Sequence, residues 1–234
     1  VVIERRPASK GRYLAAAVIT AVIFLLGMFV GFTVEGKRVN VMQDMYVEQQ
    51  VKFASSQLQY SYVSGDGALN CPALYTIFYS NIKDLDLARI RLENFRQDSK
   101  INTASFDLLK REYTLEELRY WMLADQARKV CGQDIVRVLY FYSTDQECPT
   151  CSEQGFVLDY LKKLFGDRLL IFALDSQLDE PMVGVLMKQY NVTSYPGIVI
   201  EREQSSNGFV AKDALLAHVC GRFNETPSQC PAQD

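Results

Sequence analysis

The stretch IVRVLYFYSTDQECPTC, Ile135 to Cys151, decides how the rest of the chain is read. Its first half, Ile135 to Tyr142, is β-branched and aromatic and holds neither glycine nor proline, which suits a buried strand. A short polar loop, Ser143 to Glu147, leads to Cys148-Pro149-Thr150-Cys151. An amphipathic helix then runs from about Pro149 to Phe165, with Phe156, Leu158, Leu161 and Leu164 on its apolar side. Downstream, Leu169 to Leu174 predicts a second strand and Met182 to Tyr190 a helix. Ser194-Tyr195-Pro196-Gly197 precedes a third strand, Ile198 to Glu203. The Ser205-Ser206-Asn207-Gly208 turn leads into a short fourth strand, and a helix follows over Lys212 to Val219. Strands alternating with helices in this order predict an α/β domain over 134–234, with a mixed central sheet flanked by helices.

A Cys-x-x-Cys between the first strand and its helix, with Tyr195-Pro196 opening a later strand, resembles the thioredoxin superfamily over about residues 134 to 220. The resemblance implies thiol–disulfide chemistry at Cys148 and Cys151. It also implies that Pro196 is cis and faces the dithiol, where Tyr195 and Pro196 help hold an extended substrate chain. A cis X–Pro bond is a minority state that tertiary context must impose. The dithiol has its own physical rationale. Cys148 falls at a helix N-terminus, where free amides and the macrodipole favour an anion, so its thiol pKa should be lowered and it should attack. Cys151 follows one turn later, placed to resolve a mixed disulfide. Cys148 should be the more exposed sulfur and Cys151 the more buried.

The surroundings depart from the thioredoxin pattern, which has tryptophan before the first cysteine and Gly-Pro between the pair. Here Glu147 precedes Cys148, and a neighbouring carboxylate opposes a thiolate. The buried acid of the family's first strand is missing, and that strand offers only Tyr140, Phe141 and Tyr142 near its place. Oxidant, isomerase, reductase and inert disulfide all stay open.

Four further cysteines remain. Cys71 begins one predicted helix and Cys131 ends another, so antiparallel packing brings them to one pole. A bridge there closes a loop of about 60 residues, worth roughly 4 kcal/mol in the chain-entropy model. Cys220 and Cys230 suit a local bridge pinning the tail. Their spacing does not complete a four-ligand zinc site with Cys148 and Cys151, and no metal or cofactor is expected. Asn191-Val192-Thr193 and Asn224-Glu225-Thr226 are glycosylation sequons. Asn224, in the tail, is the better acceptor, because Asn191 lies near the expected active face.

Upstream, Tyr13 to Val34 (YLAAAVITAVIFLLGMFVGFTV) carries no charge and predicts a transmembrane helix acting as a retained signal anchor. Arg5, Arg6, Lys10 and Arg12 outweigh Lys37 and Arg38, so residues 1–12 are expected in the cytoplasm and residues 35–234 on the extracytoplasmic side. Residues 35–133 read as a small antiparallel helical bundle. An amphipathic helix spans Val39 to Val63, Ser64-Gly65-Asp66-Gly67 breaks it, and Pro72 opens the next helix, which runs to about Phe95. A short helix covers Ser105 to Glu112, and the capping-box pattern Thr114-Leu115-Glu116-Glu117 opens another, Leu115 to Val130.

In 234 residues, 48% are hydrophobic, the net charge is −3 and there is a single histidine, His218. No basic patch suggests nucleic acid as a partner, and a histidine-rich metal site is excluded. The leading expectation is a membrane-tethered extracytoplasmic thiol–disulfide oxidoreductase that acts on the thiols or disulfides of exported proteins through Cys148-Pro149-Thr150-Cys151, with a membrane redox partner to recharge it. The rival is a non-catalytic scaffold that binds a partner through its groove and helical bundle, which could also oligomerise.

Overall fold

The computed structural model describes residues 10–64, 71–97, 103–202 and 204–231. The chain divides into two compact units, Val1–Gln59 and Tyr60–Asp234. In the first unit the described backbone belongs to one helix, α1 (Lys10–Ser64). No proline interrupts the run, so the segments expected as an anchor and as a separate amphipathic helix are continuous.

The transmembrane expectation is corrected here. Among the described residues, no helix is long and apolar enough to cross a membrane. The single-pass topology fails with the anchor, as do the cytoplasmic N-terminus and the extracytoplasmic C-terminal domain. The charges at Arg5, Arg6, Lys37 and Arg38, and the break at Gly65 to Gly67, lie outside what is described. The fold class is corrected as well: the described residues are mainly helical around a small four-stranded mixed sheet, with no membrane-spanning helix among them.

The second unit opens with α2 (Cys71–Gln97) and α3 (Thr103–Cys131). Pro72 stands at the second position of α2, where its missing N–H leaves no gap in the helical bonding. The two helices expected over 105–112 and 115–130 are one. Thr114 is buried in the middle of α3, and with no Gly or Pro between 103 and 131 nothing stops the helix there.

The sheet strands are β1 (Val136–Tyr142), β2 (Leu169–Asp175), β3 (Gly197–Ile200) and β4 (Gln204–Asn207). They lie in the order β2-β1-β3-β4. Between them and after them come α4 (Cys151–Phe165), α5 (Pro181–Gln189) and α6 (Lys212–Cys220). β2 runs parallel to β1, from Val136 opposite Leu169 to Tyr142 opposite Asp175. β3 runs antiparallel to β1 and β4 antiparallel to β3. The fourth strand therefore consists of the residues expected as a turn. The reversal sits earlier, at Glu201 and Arg202, both with positive φ (51° and 64°). Glu201 accepts that conformation because its carboxylate takes the Arg137 amide at 2.5 Å and the Arg137 guanidinium at 2.5 Å.

Alternation along β1 divides the core. Val136, Val138 and Tyr140 face α4 and α6, packing with Leu158, Leu161, Leu215 and Val219. Leu139 and Phe141 face the other way, with Leu118, Trp121 and Ala124 of α3 and Leu74 and Phe78 of α2. Stacked rings of Phe78, Tyr120 and Phe172 link α2 to α3 to β2, at centroid distances of 4.7 and 5.9 Å. The helical hairpin and the sheet thus share one core, and α3 lies lengthwise along it. Lys110 of α3 pairs with Asp175 at the end of β2, while Asp125 of α3 pairs with Arg137 at the start of β1.

Candidate functional site

The site forms where β1 ends. Both Glu147 and Cys148 donate their backbone amides to the Thr144 carbonyl, at 3.0 and 2.8 Å, closing a turn after the strand. Cys148 and Cys151 are joined as a disulfide. Helix α4 begins at Cys151 and not at Cys148, and the Cys151 amide donates back to the Cys148 carbonyl at 3.2 Å. Cys148 thus sits ahead of the helix, in a turn that already uses its amide. The expected order of exposure is not seen: both cysteines are buried, Cys148 at 1% and Cys151 at 6%.

Tyr140 fills the place searched for an acid. Its hydroxyl donates to the Cys151 carbonyl at 2.6 Å, and burial pushes its pKa up to about 12. The phenol is therefore committed to anchoring the start of α4. A buried acid does exist, on the opposite face of the sheet. Glu117 of α3 accepts the Ala173 amide of β2 at 3.3 Å and is 3% exposed. Burial raises its pKa to about 8, although the Ala173 amide and the Tyr113 hydroxyl oppose the rise. Sequence reading placed Glu117 in a capping box. The signal available was an acid on the apolar stripe of a long helix, four and seven residues before the buried Trp121 and Ala124.

The Tyr195–Pro196 bond is cis. Gly197, the first residue of β3, stands opposite Phe141 of β1, so Pro196 lies at the end of the sheet where the cysteine loop leaves. A Cβ on Gly197 would lie 2.5 Å from Val192 Cγ1 and 3.4 Å from Phe141 Cβ, so only glycine allows this approach. The Pro196 carbonyl accepts the Gly208 amide at 2.8 Å, fixing the segment from its far side.

Glu147 drew notice in sequence only as a charge beside Cys148; its partnership with Ser143 and Gln177 did not, because Gln177 lies thirty residues further along the chain. Ser143 Oγ donates to Glu147 Oε2 at 2.6 Å. Gln177 Nε2 donates to the same oxygen at 2.5 Å and to Ser143 Oγ at 3.0 Å. Gln177 is oriented in turn by its own amide, which donates to Asp175 Oδ1 at 2.8 Å.

The remaining expected residues fall elsewhere. Cys71 is joined to Cys131 at one end of the α2–α3 hairpin, and Cys220 to Cys230 beyond α6. Asn191 and Asn224 are both exposed, and Asn224 Oδ1 accepts from Arg128 at 3.3 Å. Among the described residues, no group of three or more His, Cys, Asp and Glu side chains is placed to hold a metal ion.

No protein-family model matches the chain, and no curated protein does. Among solved structures, the chain is similar to a protein described as a malarial protein, at 26% identity. That match covers 36% of this chain and 91% of the other, with a TM-score of 0.30. It is also similar to thioredoxin-2, described as a component of the malaria parasite's protein secretion machinery, at 25% identity over 37% of this chain and 82% of the other, with a TM-score of 0.32. At such scores neither likeness carries an argument by itself. The thioredoxin-like reading of the C-terminal part stands on its own strand order, dithiol loop and cis-proline, and these disulfide-forming cysteines fit a thiol–disulfide role in general.

Proposed function

We propose that the Cys148–Cys151 pair exchanges electrons with the cysteines of other proteins. The observation that carries the reading is the bonded pair at the start of α4, at the same end of the sheet as Tyr195-Pro196. In the oxidising direction, a substrate thiolate attacks Cys148 Sγ and the Cys148–Cys151 bond breaks. Cys151 leaves as a thiolate and takes up a proton. A second substrate thiolate then attacks the substrate sulfur of the mixed disulfide and releases Cys148. The substrate dithiol loses two electrons and two protons, and the pair gains the two electrons. The reducing direction is the same sequence reversed, with Cys148 attacking and Cys151 resolving. Tyr195 and Pro196 border the groove for the substrate chain.

A second reading has one observation in its favour: both sulfurs are nearly sealed from solvent. In that reading the pair is a structural disulfide and the domain binds a partner without chemistry. Equilibration of the Cys148/Cys151 couple with glutathione separates the two. An exchanger has a potential between roughly −270 and −120 mV, and Cys148→Ser abolishes oxidation or reduction of an unfolded test protein. A couple more negative than about −300 mV, with no exchange in either direction, establishes the structural reading.

A further inference from the structure

The loop carrying Cys148 is held shut by a side chain from another part of the chain. Three hydrogen bonds form a closed triangle among Ser143 Oγ, Glu147 Oε2 and Gln177 Nε2, of 2.6, 2.5 and 3.0 Å. Ser143 is the first residue after β1, Glu147 is the neighbour of Cys148, and Gln177 belongs to the loop between β2 and α5. Within the triangle the Ser143 hydroxyl accepts from Gln177 while donating to Glu147, an arrangement in which each bond polarises the next. A second tether runs beside it: Ser176 donates both its amide and its hydroxyl to the Tyr142 carbonyl, each at 2.9 Å. The Gln177 loop is anchored in turn to α3, since Asp175 accepts the Gln177 amide with one oxygen and pairs with Lys110 through the other. Cys148, the residue after Glu147, is 1% exposed.

We propose that Gln177 is a positioning residue that gates the dithiol: by pinning Glu147 it keeps the 144–148 turn closed over Cys148, and attack on that sulfur requires the clasp to open. This inference rests on the exchange reading for its biological meaning. Its physical content, a gate over a disulfide, is measured independently of any activity.

The test is the rate at which dithiothreitol reduces the Cys148–Cys151 bond in the full chain, followed by alkylation and peptide mass mapping so that the other two disulfides are scored separately. Gln177→Ala and Glu147→Ala should each accelerate reduction about fivefold, since each removes two sides of the triangle and water replaces them at small net cost. The double variant should fall well short of the product of the two single effects, since both remove the Gln177–Glu147 bond and each leaves only one other side of the triangle. Glu147→Gln keeps an acceptor and should be accelerated less than Glu147→Ala. That ordering separates a gate from a simple charge effect, which both Glu147 variants would share. The rate at the Cys220–Cys230 bond should not move. A Gln177→Ala rate equal to the parent's overturns the gate, as does full additivity in the double variant. Because the reagent is small and the readout is chemical, a failed gate leaves the glutathione-poised potential and the Cys148→Ser assay to judge the exchange reading.

Discussion

The two ends of β1 are fastened in opposite ways. At its start, Arg137 is 3% exposed, with Asp125 at 2.8 Å and Glu201 at 2.5 Å. Asp125 also meets Lys129 at 2.8 Å and Arg202 at 3.0 Å, and Arg202 lies over the Trp121 ring at 4.9 Å. At its end, the loop after Tyr142 is held by a neutral amide, a hydroxyl and one solvent-facing carboxylate. The first fastening is expensive to break, because removing one partner strands a buried charge. The second costs little to break, because water replaces each bond. α3 touches both ends, so one helix joins a permanent lock to a closure that can open. A dithiol placed at the locked end would be inert.

The comparison is broken most sharply at Asp125. Asp125→Ala should cost roughly 3–5 kcal/mol of stability in urea unfolding, since Arg137 loses one of its two carboxylate partners inside the core. Burial pushes the Asp125 carboxyl up, but Lys129, Arg137 and Arg202 together outweigh it and hold it below the ordinary range. Its contribution is therefore present above the ordinary carboxylate pKa and lost as pH falls below it.

Glu117 sharpens the contrast, because its sign is opposite. Its pKa in the folded protein, about 8, lies above the ordinary value of 4.5, so the folded state binds the extra proton and stability falls as pH rises from about 4.5 to about 8. Glu117→Gln should remove that decline. At pH 7 the variant should exceed the parent by something on the order of 3 kcal/mol, and at pH 4 the two should be alike. Urea midpoints at the two pH values check this.

The smallest expected effect is at Lys110. Lys110→Met should cost on the order of 1–2 kcal/mol, because Asp175 is only part-buried and keeps the Gln177 amide. It should also speed reduction of the Cys148–Cys151 bond about twofold by loosening Asp175 and, through it, Gln177. A large loss of stability here would mean that both ends are locked, and the contrast would dissolve.

Much of this was legible in sequence wherever the determinant is local. Alternation through Val136, Val138 and Tyr140 marks one face of β1, and the residues between them mark the other. Pro72 and the Cys-x-x-Cys pair fix where α2 and the dithiol loop begin. The failures share a cause, which is that a partner distant in the chain overrides the local signal. Glu201 and Arg202 make the β3–β4 reversal although Ser205-Ser206-Asn207-Gly208 has the better turn composition, because Glu201 is drawn to Arg137. Thr114 to Glu117 has the letters of a helix start, but Thr114 is buried mid-helix and Glu117 is recruited by β2. Cys148 was expected to be the more exposed sulfur from its place at a helix start, and Gln177, which ties its loop down, is nearly thirty positions away. The apolar run after Tyr13 suggested a bilayer by composition alone, a suggestion that the described helix does not sustain.

The carboxyl of Glu117 on the Ala173 amide has a consequence for how copies of this chain can meet. That amide points away from β1, on the side where β2 has no strand beside it among the described residues. An incoming extended segment would find that pairing position taken by a side chain, which disfavours lengthening the sheet there. Growth is left to β4, four polar residues long, Gln204-Ser205-Ser206-Asn207, a poor template for runaway stacking into fibrils.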